Sequence, residues 1–153
     1  MESVKYQNES FEVEYDFMNS MELAPIRFGD DSYFTLFSPY DCTIDKNEVR
    51  TIRTGITLRL PAIVEQRKST NVINVSKYSI GALLAPYTLL ADKGMVLISP
   101  TFVVPNYPVD LVFQNFGKRS FDVKKGSPIA VLTFMIVPNV RLSPKLQPLP
   151  NES

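Results

Sequence analysis

Twelve prolines are scattered between short apolar segments of this chain, and only six glycines accompany them. Proline locks φ and has no backbone N–H donor, so it interrupts helices and is excluded from the centre of a sheet. No segment combines sustained helical periodicity with capping residues, whereas many short apolar runs end at turn-forming residues. The pattern predicts an all-β fold, a barrel or sandwich of short strands.

The expected strands are separated by turn signals along the chain. They are the segments 11–15, 32–37, 49–54, 56–60, 80–85, 95–98, 102–104, 111–113 and 129–137. We expect a long loop insertion near 62–77, with an exposed polar loop at 65–71 and one arm of a hairpin at 72–75. Residues 1–137 are therefore assigned to one domain. Residues 138–153 form a proline-rich tail that can lie extended on a neighbouring surface.

The charge and residue composition excludes several classes of function. Sixteen basic residues balance sixteen acidic ones among the 153 residues, histidine is absent, and Cys42 is the single cysteine. Zero net charge gives no general attraction to nucleic acid or to acidic membranes. Without histidine there is no serine–histidine triad and no Cys/His zinc site. Residues 1–7 lack the apolar run of a signal peptide, so we expect an intracellular protein with Cys42 as a packed structural thiol.

The segment 115–132 carries the most specific motif, N-F-G-K-R-S-F-D-V-K-K-G-S-P-I-A-V-L. It resembles the phrase N-x-G-x-x-x-F-x-V-x-x-G-x-x-I-A-x-L of the trimeric dUTPase family. The stretches 23–37, 43–56 and 81–94 are similar to further motifs of that family and follow in the same order. The resemblance implies a dUTPase-like jelly-roll β-barrel of the β-clip type. It also implies a homotrimer with active sites shared between subunits, which hydrolyse dUTP to dUMP and pyrophosphate.

The resemblance places altered residues at the positions that bind magnesium and phosphate in the family. Thr35 stands in place of the aspartate that holds magnesium through water, and an uncharged hydroxyl attracts a hydrated cation less strongly. Tyr87 and Leu89 replace an arginine and a glycine beside the triphosphate, while Thr88 keeps a hydroxyl. We expect Thr35 to be a plain strand residue and Leu89 to pack.

The third family motif has also changed. Val104 takes the position of the aspartate that activates water, and Tyr107 keeps the tyrosine that stacks on deoxyribose. Valine cannot accept a proton, and loss of a general base costs about 10²–10⁴ in rate. The glycine-rich arm that closes over the phosphates is missing, because no glycine follows Gly126. We expect Tyr107 to be an ordinary turn or core aromatic.

These changes predict a non-catalytic dUTPase-like protein without catalytic residues, metal site or cofactor. Its role would be binding, regulation or structure. Degenerate members of the family imply a viral protein, host-directed or associated with the capsid, in the cytoplasm, the nucleus or the virion. Its expected partners are itself and other proteins. The candidate partner-binding residues are Arg67 and Lys68 in the insertion, and Pro144, Leu146 and Pro148 in the tail.

Two alternatives stay open. The first is a divergent magnesium-dependent dUTP or nucleotide pyrophosphatase that uses Asp110 or Glu65 as its base. The second, weaker alternative is single-stranded nucleic-acid binding through the basic insertion, with Tyr78 and Tyr87 as platforms for base stacking. The neutral net charge counts against the second alternative.

Overall fold

The computed structural model describes residues 11–17, 26–27 and 33–150, apart from the side chains at positions 26, 27, 67, 69, 74 and 76. Residues 23–25 and 28–32 of the stretch 23–37 therefore lie outside the described residues. Within the described ranges, no helix is long and apolar enough to cross a membrane.

Eleven strands and one short helix make up the described part of the chain. They are β1 (Glu14–Phe17), β2 (Ile26–Arg27), β3 (Tyr33–Phe37), β4 (Cys42–Ile44), β5 (Val49–Arg59), β6 (Ala62–Ser69), β7 (Val72–Pro86), α1 (Thr88–Asp92), β8 (Met95–Leu97), β9 (Pro108–Asn115), β10 (Phe121–Val123) and β11 (Pro128–Pro138). The sheets have the orders β1-β5-β9-β8, β10-β4 and β2-β3-β11-β7-β6. Neighbouring strands run antiparallel. The all-β prediction is confirmed.

One apolar core joins the three sheets. Strand β9 alternates exposed and buried residues, so that Leu111 and Phe113 point inward and are 0% exposed. They belong to the same cluster as Ile52 of β5, Ile44 of β4 and Ile129 of β11. Burying a side chain of this size contributes about 1.5–3 kcal/mol. The period of two along each strand therefore sets which face of each sheet turns inward.

Asn115 fixes the loop that follows β9. Its side chain is 0% exposed, and its Nδ2 donates to the carbonyl oxygens of Ile44 at 2.9 Å and Arg119 at 2.8 Å. Its Oδ1 accepts a hydrogen bond from the N–H of Gly117 at 2.8 Å. A Cβ at Gly117 would collide with the carbonyl oxygen of Lys93. The asparagine and glycine of the motif are thus explained by packing and hydrogen bonding.

The segment near 62–77 is a hairpin, and the expected loops there are wrong. Strands β6 and β7 pair from Ala62↔Ser79 to Ser69↔Val72, so only Thr70 and Asn71 form the turn. Asn71 has φ 71°, in the left-handed region that asparagine tolerates better than most residues. The arm expected at 72–75 is confirmed. The polar composition of 65–69 predicted a loop, but these residues form part of β6. A hairpin with little core contact needs no apolar face, so its strands need not show apolar alternation.

Three smaller expectations also differ from the structure. Segment 102–104 is not a strand and joins β7 only through an isolated bridge between Leu83 and Phe102. Strand β1 spans Glu14–Phe17 and is exposed throughout, so the strand expected at 11–15 starts and ends later in the chain. Helix α1 was not expected, because five residues are too few to show a period. Residues 139–149 have no helix or strand, as expected of a proline-rich tail.

Replacing Asn115 with alanine leaves two carbonyls and one N–H without their partner. Each buried unsatisfied group costs about 1–3 kcal/mol, so we expect N115A to lower the free energy of unfolding by about 2–4 kcal/mol. Urea denaturation measures this change. The matched control is Asn139→Ala in the exposed tail, which should stay within about 0.5 kcal/mol of the parent. Equal stabilities of the two variants would contradict the role given to Asn115.

Candidate functional site

A cavity of about 370 Å³ opens where the loop between β8 and β9 meets β7. It is lined by Leu84, Pro100, Phe102, Val103, Val104, Tyr107, Pro108, Val109 and Asp110. The lining is mostly apolar and aromatic, and its polar side-chain groups are the Tyr107 hydroxyl and the Asp110 carboxylate. A concave apolar site of this volume with few polar groups has the form of a small-molecule pocket.

Backbone hydrogen bonds hold the cavity wall against the sheets. The N–H of Val103 donates to the carbonyl of Ala82 at 2.8 Å, and the N–H of Asn106 donates to the carbonyl of Leu58 at 2.9 Å. Asn106 has φ 66°, in the left-handed region that asparagine tolerates better than most residues. The chain therefore reverses at Asn106 and brings the start of β9 back to the cavity.

Three side chains on this wall face solvent rather than the core. Phe102, Val104 and Tyr107 are 62%, 47% and 67% exposed. Tyr107 directly follows the turn at 105–106 and is exposed, so it is not a core aromatic. Exposed apolar and aromatic side chains that border one cavity indicate a binding surface.

The two carboxylates proposed as bases lie in different places. Asp110 lines the cavity, is exposed and lies directly across from Arg53 of β5. Within the described part of the chain, the Asp110 carboxylate makes no hydrogen bond or ion pair. Glu65 does not line the cavity, and its Oε1 accepts a hydrogen bond from the Tyr78 hydroxyl at 2.6 Å. Asp110 is thus the carboxylate available for chemistry in this cavity.

The position expected to bind magnesium does not fit that ion. Thr35 is 1% exposed and lies inside a sheet, where it pairs with Val131 of β11 and Ile26 of β2. It is the plain strand residue that was predicted. A buried hydroxyl cannot reach a hydrated cation. Among the described residues, no group of three or more histidine, cysteine, aspartate or glutamate side chains could hold a metal ion.

The residues expected beside the triphosphate form the start of α1. Tyr87 precedes the helix, and its N–H donates to the carbonyl of Ile129 at 3.0 Å. Thr88 is exposed. Leu89 is 52% exposed, so the prediction that it packs is wrong. Leu90, 2% exposed, packs instead, because the helical turn points it inward. None of these four side chains lines the cavity.

The two tyrosines predicted to stack on nucleic-acid bases do not lie side by side. Tyr78 and Tyr87 are nine positions apart along an extended strand, or roughly 30 Å. The ring of Tyr78 contacts Phe11, with centroids 6.3 Å apart. Lys68 is exposed, while the side chain of Arg67 lies outside the described residues.

The predicted partner-binding residues of the tail are all exposed. They are Pro144, Leu146 and Pro148. Leu146 is 97% exposed, so its whole side chain is open to a partner. Their role in partner binding stays a prediction.

No family model matches the chain. It is similar to the deoxyuridine 5'-triphosphate nucleotidohydrolase of Mus musculus and the mitochondrial one of Homo sapiens. Each is 32% identical over 101 residues, or 65% of this chain. The match spans 52% of the mouse protein and 34% of the human protein. The chain thus covers about half, or less, of the length of these relatives.

Solved structures with this fold agree with the sequence comparison. EIAV dUTPase superposes with a TM-score of 0.62 at 15% identity, covering 93% of this chain and 100% of that chain. A variant of the Staphylococcus bacteriophage 80alpha dUTPase with dUpNHpp gives a TM-score of 0.66 at 13% identity, covering 93% of this chain and 92% of that chain. The chain is similar in sequence and in fold to dUTPases. The predicted dUTPase-like jelly-roll fold is confirmed.

The similarity to dUTPases contradicts the prediction of a non-catalytic protein. The relatives are nucleotidohydrolases by name, and the structural neighbours are dUTPases. The prediction depended on Val104, which cannot accept a proton. Asp110, the base of the alternative enzyme prediction, lines the same cavity as Val104, because the chain reverses at Asn106. The comparisons give no support to an assembly, capsid or host-directed role.

Cys42 is the packed thiol that was predicted. It is 8% exposed in β4, and burial raises the pKa of its thiol above the ordinary value of 9.0, an effect that nearby Arg50 opposes. Little thiolate is therefore present at neutral pH, and a buried thiol is also hard to reach.

The raised pKa of Cys42 predicts how stability depends on pH. The native thiol keeps its proton at a pH where the unfolded chain has lost it. The free energy of unfolding should therefore fall as the pH rises above the ordinary thiol value of 9.0. The difference between the parent and Cys42→Ser across pH 8–10 isolates this effect, because serine does not titrate there. A difference that does not change with pH would contradict the assignment.

Proposed function

We propose that this chain is a nucleotide pyrophosphatase of the dUTPase type, which cleaves dUTP into dUMP and pyrophosphate. The observation that carries the proposal is the cavity that brings Tyr107 and Asp110 together on one apolar wall. The 32% identity over 101 residues with enzymes named for hydrolysis of deoxyuridine triphosphate supports the substrate.

The cavity suits the nucleoside part of this substrate. Its exposed apolar and aromatic residues, Phe102, Val104 and Tyr107, offer surfaces for a flat base and a pentose. Stacking of a base on an aromatic ring contributes about 1–3 kcal/mol. Tyr107 occupies the family position whose tyrosine stacks on deoxyribose, and its 67% exposure leaves the ring open to a ligand.

Asp110 acts as the general base in this proposal. Its carboxylate accepts a proton from a water molecule while the water oxygen forms a bond to the α-phosphorus. The bond from that phosphorus to the bridging oxygen breaks, and pyrophosphate leaves with the electron pair. Magnesium enters only with the nucleotide, as part of the substrate, because Thr35 is buried and cannot hold it.

A neighbouring subunit supplies the phosphate-binding part of the site. Thr88, at the start of α1, does not line the cavity of its own chain, so a nucleotide in that cavity needs groups from another chain. The family resemblance implies a homotrimer with shared sites. The end of β11 is available for self-association, since Met135, Ile136 and Val137 are exposed apolar residues.

Substitution of the base tests the reaction. We expect Asp110→Asn to lower pyrophosphate release from Mg–dUTP by about 10²–10⁴-fold, because an amide cannot accept the proton. The matched control is Glu65→Gln, which removes a carboxylate that is outside the cavity and should keep turnover within about twofold. Absence of turnover by the parent, or equal losses in both variants, would contradict the proposal.

Mixing two inactive variants tests the shared site. We expect Tyr107→Ala and Thr88→Ala each to lower turnover by about tenfold or more. If the two residues of one site come from different subunits, trimers of mixed composition contain some sites with both native residues, and mixing restores part of the activity. Analytical ultracentrifugation should show three chains of 17.3 kDa. An active monomer, or mixing without recovery, would refute the shared site.

A further inference from the structure

The hairpin of β6 and β7 extends beyond the sheet to which it belongs. Strand β11 pairs with β7 only as far as Pro138↔Tyr78, whereas β6 continues alongside β7 to the turn at Ser69↔Val72. Residues 64–77, here called the ribbon, are therefore two-stranded, with no third strand among the described residues.

The edge of β7 within the ribbon carries unpaired backbone groups. The N–H of Ile80 donates to the carbonyl of Pro61 at 3.0 Å, so the even-numbered residues of β7 direct their backbone groups toward β6. The odd-numbered residues Ile73, Val75 and Lys77 therefore direct their N–H and C=O groups away from β6. In the part of the chain that the structure describes, no strand lies there to pair with them.

The strand that could have covered this edge stops at a proline. Pro138 has no N–H to donate, and residues 139–149 continue without forming a strand. A groove of about 520 Å³ remains in the fork between β7 and the departing chain, and its walls include Lys77, Val137 and Val140. An incoming strand can enter at this groove and continue along β7.

One face of the ribbon is apolar and basic. It presents Val64, Gln66, Lys68, Ile73, Val75 and Lys77, which share rungs as Val64↔Lys77, Gln66↔Val75 and Lys68↔Ile73. Val64, Ile73 and Val75 are 56%, 63% and 50% exposed. The face holds two lysines and no carboxylate, since Glu65 lies on the opposite face and bonds to Tyr78.

We propose that the ribbon binds a partner protein through an extended acidic segment, which pairs with β7 as an added strand. Backbone hydrogen bonds to Ile73, Val75 and Lys77 would supply affinity, as in other cases of strand addition. An acidic side chain opposite Lys77 and apolar side chains opposite Val75 and Ile73 complete the match. Lys68 adds to the positive potential, which favours acidic partners over basic ones.

Other occupants fit the ribbon less well. A lipid surface would leave the open backbone groups of β7 unpaired at a cost of several kcal/mol each. The tail of a second copy carries Arg141 and Lys145, which the two lysines repel, and its prolines interrupt a ladder. A second ribbon would bring like charges together. The ribbon does not line the nucleotide cavity, so this inference is independent of the proposed hydrolysis.

A designed peptide tests the proposal on the full-length protein. The probe is a fluorescent, end-capped peptide with glutamate, valine and valine at every second position, to face Lys77, Val75 and Ile73, and with threonine at the positions between them. Its affinity is measured by fluorescence anisotropy at physiological salt. We expect a peptide with lysine in place of glutamate to bind at least about tenfold more weakly. Failure of the acidic peptide to bind, or equal binding of both peptides, would overturn the proposal.

Two variants separate backbone pairing from charge. Val75→Pro removes an N–H that points to the open edge while leaving the bonds between β6 and β7 in place, so we expect the acidic peptide to bind at least about tenfold more weakly. Lys77→Glu should weaken binding to a similar extent by reversing the charge. The matched control, Lys145→Glu in the tail, should keep affinity within about twofold. Thermal unfolding and circular dichroism establish that each variant folds.

Two further measurements address the other occupants. Vesicles of phosphatidylcholine with about 30% phosphatidylserine detect lipid binding. Vesicle binding that Lys77→Glu abolishes and Val75→Pro preserves would overturn the proposal in favour of a membrane surface. A change of oligomeric state in Val75→Pro, measured by analytical ultracentrifugation, would overturn it in favour of a second copy. An unchanged oligomeric state and no vesicle binding are the expected results.

Discussion

The alternation of backbone hydrogen bonds along β7 is the constraint on which both the cavity wall and the open strand edge of this protein depend. One edge of β7 bonds to β6 and then to the cavity wall, through Val103 and Ala82. The other edge bonds to β11 from Pro86 to Tyr78. Because each residue directs its N–H and C=O to one edge only, the same strand closes the wall of a cavity at one end and leaves an open edge at the other.

The cavity places a carboxylate close to the position at which the family motif has changed. Val104 and Asp110 are six positions apart, yet both line the cavity, because the chain reverses at Asn106 with φ 66°. A motif read position by position tests only one residue for the role of base. Because the relatives that the chain resembles are hydrolases by name, the spatial arrangement of the cavity is a better guide than the motif positions.

Parts of the fold followed from local chemistry and parts did not. The strand 129–137 was readable from the sequence, because the prolines at its two ends mark its boundaries locally. Leu89 and Leu90 have the same chemistry, so sequence reasoning had no means of telling which one packs. The polar composition of 65–69 predicted a loop, but pairing with β7 makes this segment a strand. Such pairing depends on a second segment of the chain, so it cannot be read from the residues of one strand alone.

By itself, the sequence determined the all-β class, the order of the family motifs and the loss of charged groups at the family positions Thr35, Tyr87 and Val104. Those properties belong to individual residues and their immediate neighbours. Only the tertiary structure decided that Asp110 lines the cavity, that Glu65 bonds to Tyr78 away from it, and that 62–77 is a hairpin with an open edge. Each depends on contacts between segments distant in the chain, and the geometry of such contacts is set by sheet register and chain reversal rather than by local composition.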